Sequence, residues 1–262
     1  MTPDQIAAAG QSLLSAEQSR IQRSLLSAEH SHATMDDAYA IQRAFVDRKL
    51  AEGRRIIGWK IGLTSRAMQQ QLNITTPDSG VLLDDMAFAS GATIPAGRFI
   101  APRIEAEIAF VMKAPLAGEV TRDQVLAATD YVAPALEILD TRIIRAEGGR
   151  TRTIIDTISD NAANAGIVMG NQRHAPTADL RWVGAIVKRD GVVEETGLGA
   201  GVLDDPVTGI VWLARRMHDY GQRIEPGQII LSGSFIRALE CPPGSHIDAD
   251  FGAFGRLTCS FA

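Results

Sequence analysis

The chain has 262 residues, 45% hydrophobic and 22% charged, which is enough apolar material for a core without disulfide support and unlike a disordered segment. Its formal net charge of −5, with basic residues scattered among acidic ones, leaves no footprint for a nucleic-acid backbone. No run approaches the ~20 apolar residues of a membrane-spanning helix. The start MTPDQIAAAG lacks the basic and apolar regions of a signal peptide, and Cys241 and Cys259 have no metal-type spacing, so a cytoplasmic protein with free thiols is expected.

The first thirty residues are rich in Ala, Ser, Gln and Leu and carry SLLSAE twice, at 12–17 and 24–29. That spacing does not keep one helical face aligned, and two copies cannot build a solenoid, so the segment reads as helix followed by a turn. Thr34, three residues before Asp37, gives a capping-box pattern ahead of Tyr39, Ile41, Ala44, Phe45 and Leu50; it predicts an amphipathic helix over 35–52 stopping at Gly53. From Ile56 onward, short β-branched runs broken by Gly, Pro and Asp predict strands near 56–62, 80–84, 104–112, 131–139, 165–169, 182–188, 192–196, 228–232, 246–250 and 256–261. Asp190-Gly191 between two of these runs marks a hairpin whose turn positions need positive φ. Val207, Ile210, Val211, Ala214 and Met217 predict a helix over 205–220, capped by Asp205 with Pro206 at its first position. Strands outnumber helices after residue 55 and few are separated by them. The expected class is α+β with mixed or antiparallel sheets, a helical region over 1–55 and a β-rich domain over 56–262.

In RIEAEIAFVM a strand puts Glu105 and Glu107 on one face, about 6–7 Å apart. Such a pair is often just a solvated face, but same-face glutamates without a nearby cation repel each other. YVAPALEILD adds an isolated acid, Glu137, in a strand that ought to be buried. Three buried carboxylates need a divalent counter-charge, and all-oxygen ligation suits Mg²⁺ or Mn²⁺. Lys60, in GWKIGLTS, sits among apolar neighbours. It either snorkels to the surface or is buried close to a cation, in which case its pKa should fall and make it a general base. Gly58 and Gly62 beside it permit close approach. The block DTISDNAANAG at 156–166 places Ser159, Asp160, Asn161 and Asn164 in a loop or helix cap. ILSGS at 230–234 ends a strand in hydroxyl residues, and Asp78 lies in the turn TTPDSG. GLGAG at 197–201 does not have dinucleotide-binding glycine spacing and is rejected as such a site. The five histidines show no ligand spacing.

Together, GWKIGLTS, TTPDSGVLLDDM, PRIEAEIAF, YVAPALEILD, IIDTISDNAANAG, EETGLGAGVL and GQIILSGSF closely resemble the 2-oxo-hept-4-ene-1,7-dioate hydratases. These belong to the group of 2-keto-4-pentenoate hydratases and 4-oxalocrotonate decarboxylases in the fumarylacetoacetate hydrolase superfamily. The resemblance runs from about residue 35 to the end of the chain. It implies a mixed β-sandwich roll after a small helical region, bound Mg²⁺, a homo-oligomer, and hydration of a small 2-oxo acid in aromatic catabolism, with decarboxylation as the rival. By matching position, Glu105, Glu107 and Glu137 resemble the metal ligands, Lys60 the catalytic lysine, and Asp78 and Ser159 further active-site residues. Thr64, Arg103 and Ser234 are the expected substrate-binding residues, and Arg103, Arg142 and Arg145 are open candidates for a distal carboxylate. The resemblance departs at Trp59, where family members carry a polar ring.

Overall fold

The structure, a computed structural model, describes residues 1–71, 74–177 and 179–262. The helices are α1 (Pro3–Ser19), α2 (Leu26–Glu29), α3 (Met35–Ala51), α4 (Arg66–Gln71), α5 (Arg122–Ala128), α6 (Ile154–Ser159) and α7 (Pro206–Asp219). The strands are β1 (Ile56–Gly62), β2 (Asp78–Leu83), β3 (Ala87–Ala89), β4 (Ala92–Ile94), β5 (Arg103–Met112), β6 (Thr129–Leu139), β7 (Ala146–Glu147), β8 (Arg150–Thr151), β9 (Asn164–Met169), β10 (Gly184–Arg189), β11 (Val192–Leu198), β12 (Ile229–Leu231), β13 (Leu239–Glu240), β14 (His246–Asp250) and β15 (Arg256–Phe261).

Local chemistry starts the helices as the sequence implies. Thr34 and Asp37 exchange side-chain and backbone hydrogen bonds at the start of α3, and Asp205 accepts from the Val207 N–H with Pro206 in the first turn of α7. The first SLLSAE lies inside α1, while the second forms only the single turn of α2. Asp190 (φ 54°) and Gly191 (φ 84°) make the tight turn between β10 and β11.

The main sheet runs in the order β2-β1-β12-β5-β6-β9-β3, with β13 also paired to β5; a second runs β11-β10-β14-β15-β4, and β7-β8 is a small hairpin. Pairing is parallel for β1–β12, β3–β9 and β4–β15 and antiparallel elsewhere, so the sheets are mixed as expected. One large apolar cluster joins Leu13, Leu26 and Phe45 of the helices to Ile61, Ile108 and Phe110 of the main sheet and Leu213 of α7. A smaller one, Leu82, Ala109, Ala135, Ile167 and Leu231, lies on the sheet's other face. Among the described residues no helix is long and apolar enough to cross a membrane.

Candidate active site

Register brings the carboxylates together. Glu105 stands directly opposite Glu137 in the β5–β6 ladder, and Glu107, two residues on, shares their face. One carboxylate oxygen from each lies within 4.8 Å of the others; Glu107 and Glu137 are fully buried and Glu105 partly exposed. β12 separates β5 from β1, pairing Leu231 with Ala109 on one side and with Lys60 on the other. Lys60 therefore rises from the same face, its Nζ 3.4 Å from Glu137 Oε1. On β2, Asp78 pairs with Gly62 and Gly80 with Lys60, which adds Asp78 to the cluster. The small apolar cluster of Leu82, Ala109, Ala135, Ile167 and Leu231 shares this face and forms the floor beside the charged groups.

Glycine flanks Lys60 where a side chain would displace its neighbours. A Cβ on Gly62 would lie 2.2 Å from Asp78 Oδ1 and 3.0 Å from Lys60 Nζ, and one on Gly58 would lie 1.9 Å from the Ile229 carbonyl oxygen.

The polar block 159–164 is neither an exposed loop nor a simple cap: Ser159, Asp160, Asn161 and Asn164 are all fully buried. Asn161 accepts from the Val81 N–H at 2.7 Å and donates to its carbonyl at 2.9 Å, and Asn164 donates to the same carbonyl at 3.1 Å. These bonds fasten the block to β2 beside Asp78. They also hold Asn161, Ala162 and Ala163 in left-handed conformation (φ 52°, 51° and 60°), a strain of about 1–3 kcal/mol per residue.

What remains free is as informative. Asp78 Oδ1 and Oδ2, Glu107 Oε1, both Glu137 oxygens, and the Ser159 and Ser232 hydroxyls are buried without a hydrogen-bond partner among the described residues. Glu107 Oε2 accepts from the Gly233 N–H at 2.7 Å. Orphaned buried polar atoms are rare and costly when scattered. The glutamate oxygens among them converge, and an all-oxygen set of three carboxylates fits a hard divalent cation.

Lys60 is buried, which opposes its charge, but without an ion the charges of Glu137, Asp78, Glu105 and Glu107 outweigh that burial and raise its pKa. It is an ammonium held among acids. Burial lifts the acids as well: Glu137 well above its ordinary value, Glu105 and Asp78 upward, and Glu107 up to about 8, helped by the charge of Glu105.

Of the other expected residues, Thr64 is buried against the turn that holds Glu107, since a Cβ on Gly233 would lie 2.2 Å from its Oγ1. Ser234 uses its hydroxyl within its own turn, donating to the Ile236 carbonyl at 2.8 Å; Ser232 carries the free hydroxyl of that segment. Arg103 pairs with Glu240. Arg142 is fully buried and committed to Asp160 and Glu17, which removes it as a candidate for a substrate carboxylate. Trp59 faces away from Lys60's side of the sheet, its indole N–H donating to Gln228 at 3.0 Å, so the departure at this position does not touch the site. Residue patterns missed Tyr39, placed by helical spacing in a core, whose hydroxyl accepts from the Ser79 N–H at 3.2 Å; burial and the charge of Asp78 push it up to about 12.

No protein-family model matches the chain. Single proteins do. A 2-oxo-hept-4-ene-1,7-dioate hydratase of Escherichia coli is 49% identical over 96% of both chains, and a 2-keto-4-pentenoate hydratase of Paraburkholderia xenovorans (strain LB400) is 40% identical over 100% of this chain and 96% of its own. The 4-oxalocrotonate decarboxylase of Pseudomonas putida G7, solved with magnesium and adipate, superposes with a TM-score of 0.94 at 31% identity, covering 100% of this chain and 99% of its own. The chain belongs to the family of 2-keto-4-pentenoate hydratases and 4-oxalocrotonate decarboxylases. It is an enzyme of that family, with the α+β fold of the fumarylacetoacetate hydrolase superfamily. A member of that superfamily from Yersinia pestis CO92, at 12% identity and a TM-score of 0.57, shares the fold alone.

Proposed function

We propose that the chain is a divalent-metal-dependent hydratase that adds water to 2-oxo-hept-4-ene-1,7-dioate, giving 4-hydroxy-2-oxoheptane-1,7-dioate. The observation that carries this reading is the convergence of Glu105, Glu107 and Glu137, with unpartnered oxygens, beside a buried lysine, in a chain 49% identical to a hydratase of that name. The three glutamates would hold the ion, Mg²⁺ by the hardness of the donor set and Mn²⁺ as the alternative. Once bound, it would supply a Lewis acid for negative charge developing on the 2-oxo oxygen.

The remaining work falls to the chain's own groups. Asp78 has both oxygens free and a pKa raised by burial, which suits it to take the proton from C3 and return it at C5, bringing the double bond into conjugation with the oxo group. Lys60, kept as an ammonium, provides a fixed positive charge beside that transfer and a proton donor within the site. The free Ser159 hydroxyl orients the water whose oxygen adds at C4 as its proton is passed to C3. Thr64 and Arg103, at the edge of the carboxylate cluster, are the proposed substrate contacts.

Incubating the protein with Mg²⁺ and 2-oxo-hept-4-ene-1,7-dioate and following the products by mass spectrometry tests the reading. Gain of one water supports it. Loss of one carbon dioxide makes the protein a decarboxylase on the same scaffold, and no change in mass refutes both.

A further inference from the structure

Arginines crowd the segment between β6 and α6, which leads into the buried block 159–164. Arg142 is fully engaged with Asp160 and Glu17. Arg152 is not. Its Nη2 reaches Asp160 Oδ2 at 3.2 Å, but that oxygen already accepts from the backbone N–H groups of Arg142 and Ile143. The Arg152 side chain is only 11% exposed, and its Nε is buried with no acceptor among the described residues.

Its neighbours add charge of the same sign. The hairpin β7–β8 sets Arg145 across from Arg152, whose N–H donates to the Arg145 carbonyl at 2.8 Å. Arg145 makes no ion pair among the described residues, and burial together with the charges of Arg103 and Arg152 holds it below its ordinary value. Like charges at opposed hairpin positions destabilise the pair unless an anion comes between them. This surplus borders the acidic site: Asp160 follows Ser159 directly, and at Asp78 only the charge of Lys60 acts more strongly than that of Arg152.

We propose that Arg152, supported by Arg145, is a specificity residue that receives the far carboxylate of a dicarboxylic substrate, so that the site selects dioates over 2-oxo acids with an apolar tail. The guanidinium fork, with one nitrogen already buried and free, suits a carboxylate better than an ammonium would. This rests on the reading of the site as one for 2-oxo acids, but not on which reaction follows.

Calorimetric titration of the Mg²⁺-loaded protein with 2-oxoheptanedioate and with 2-oxoheptanoate, which differ only in the far carboxylate, tests it. The wild-type protein should bind the dioate about 10- to 100-fold more tightly. Arg152→Gln should bring that ratio to within about threefold by weakening the dioate alone. An unchanged ratio, equal weakening of both ligands, or a wild-type protein without preference would each overturn the inference. Should Arg152→Gln be insoluble, Arg152→Lys keeps a charge for Asp160 without the fork, and its ratio must fall at least several-fold; an unchanged ratio refutes the role. Neither titration needs turnover. A protein that binds the dioate through Arg152 yet leaves the unsaturated acid unchanged refutes the proposed reaction and keeps this assignment.

Discussion

Glu105 and Glu137 face each other directly across the β5–β6 ladder, in a position where sheets ordinarily place opposite charges or apolar pairs. With Glu107 buried beside them, the arrangement is unfavourable to the fold by itself and favourable to a cation. Glu137→Gln should leave the thermal midpoint in chelator close to that of the wild type, because the repulsion it relieves is offset by the loss of the buried Lys60 ion pair. It should also remove the rise that Mg²⁺ gives the wild type. Thermal scans with EDTA and with MgCl₂ read both effects, and a variant that keeps the full Mg²⁺ shift would exclude Glu137 as a ligand.

The pH dependence of the chelated protein follows from Glu107, whose pKa burial and the charge of Glu105 raise from 4.5 to about 8. Between those values the folded chain holds a proton that the unfolded chain has released. The contribution to stability is thus complete below about 4.5 and disappears as pH climbs through about 8. Chelated protein should lose thermal stability across that window, while Mg²⁺, which must displace protons from its ligands, should bind more tightly as pH rises. A flat midpoint across the window in EDTA would contradict the shift.

Much of this centre was legible in the residues. Alternation in RIEAEIAFVM placed Glu105 and Glu107 on one face, and a lone acid in YVAPALEILD supplied Glu137, because strand periodicity fixes faces without knowledge of the partner strand. β1 was readable from end to end for the same reason. Strands of two or three residues, such as β3, β4 and β13, are too short to show a period, and α6 was hidden in a polar stretch whose burial comes from contacts with β2 and α3. The ring of acids around Lys60 was out of reach too. It consists of four carboxylates contributed by three other strands, which no local pattern reveals. Arg152 looked like one more arginine in a polar segment until its guanidinium was seen to share an acid already occupied by Arg142.

Lys60→Ala should abolish turnover while sparing the Mg²⁺-dependent thermal shift, with kcat falling about 10²- to 10⁴-fold if the lysine takes part in proton transfer. Near-normal steady-state rates in that variant would remove Lys60 from the mechanism.

Gly62→Ala offers a milder probe of the same geometry. The added Cβ would meet the tips of Asp78 and Lys60, at 2.2 Å and 3.0 Å, both of which can swing aside. The fold should survive with a midpoint close to wild type, whereas kcat/KM should drop at least tenfold because the proton-carrying groups are displaced. A variant with wild-type kcat/KM would show that the placement of Asp78 against Lys60 is not critical.

Arg142 was a candidate for the substrate, and its surroundings assign it to the fold instead. Its guanidinium donates to the Asp160 carboxylate and to the carbonyls of Asp160 and Asn164 at 2.8 and 3.2 Å, and it lies over the Phe45 ring at 5.6 Å. It thereby ties the left-handed block behind the site to the N-terminal helices. Arg142→Met keeps the bulk but strands Asp160 with Arg152 as its remaining cation, and breaking a buried pair in this way costs about 3–5 kcal/mol. The expected outcome is a large fall in the denaturant midpoint. The companion Arg142→Met/Asp160→Asn should recover part of that loss, because the uncompensated carboxylate is gone. If the double variant is as unstable as the sum of the two single ones, the pair is not coupled and the block is held by the asparagine bonds to Val81 alone.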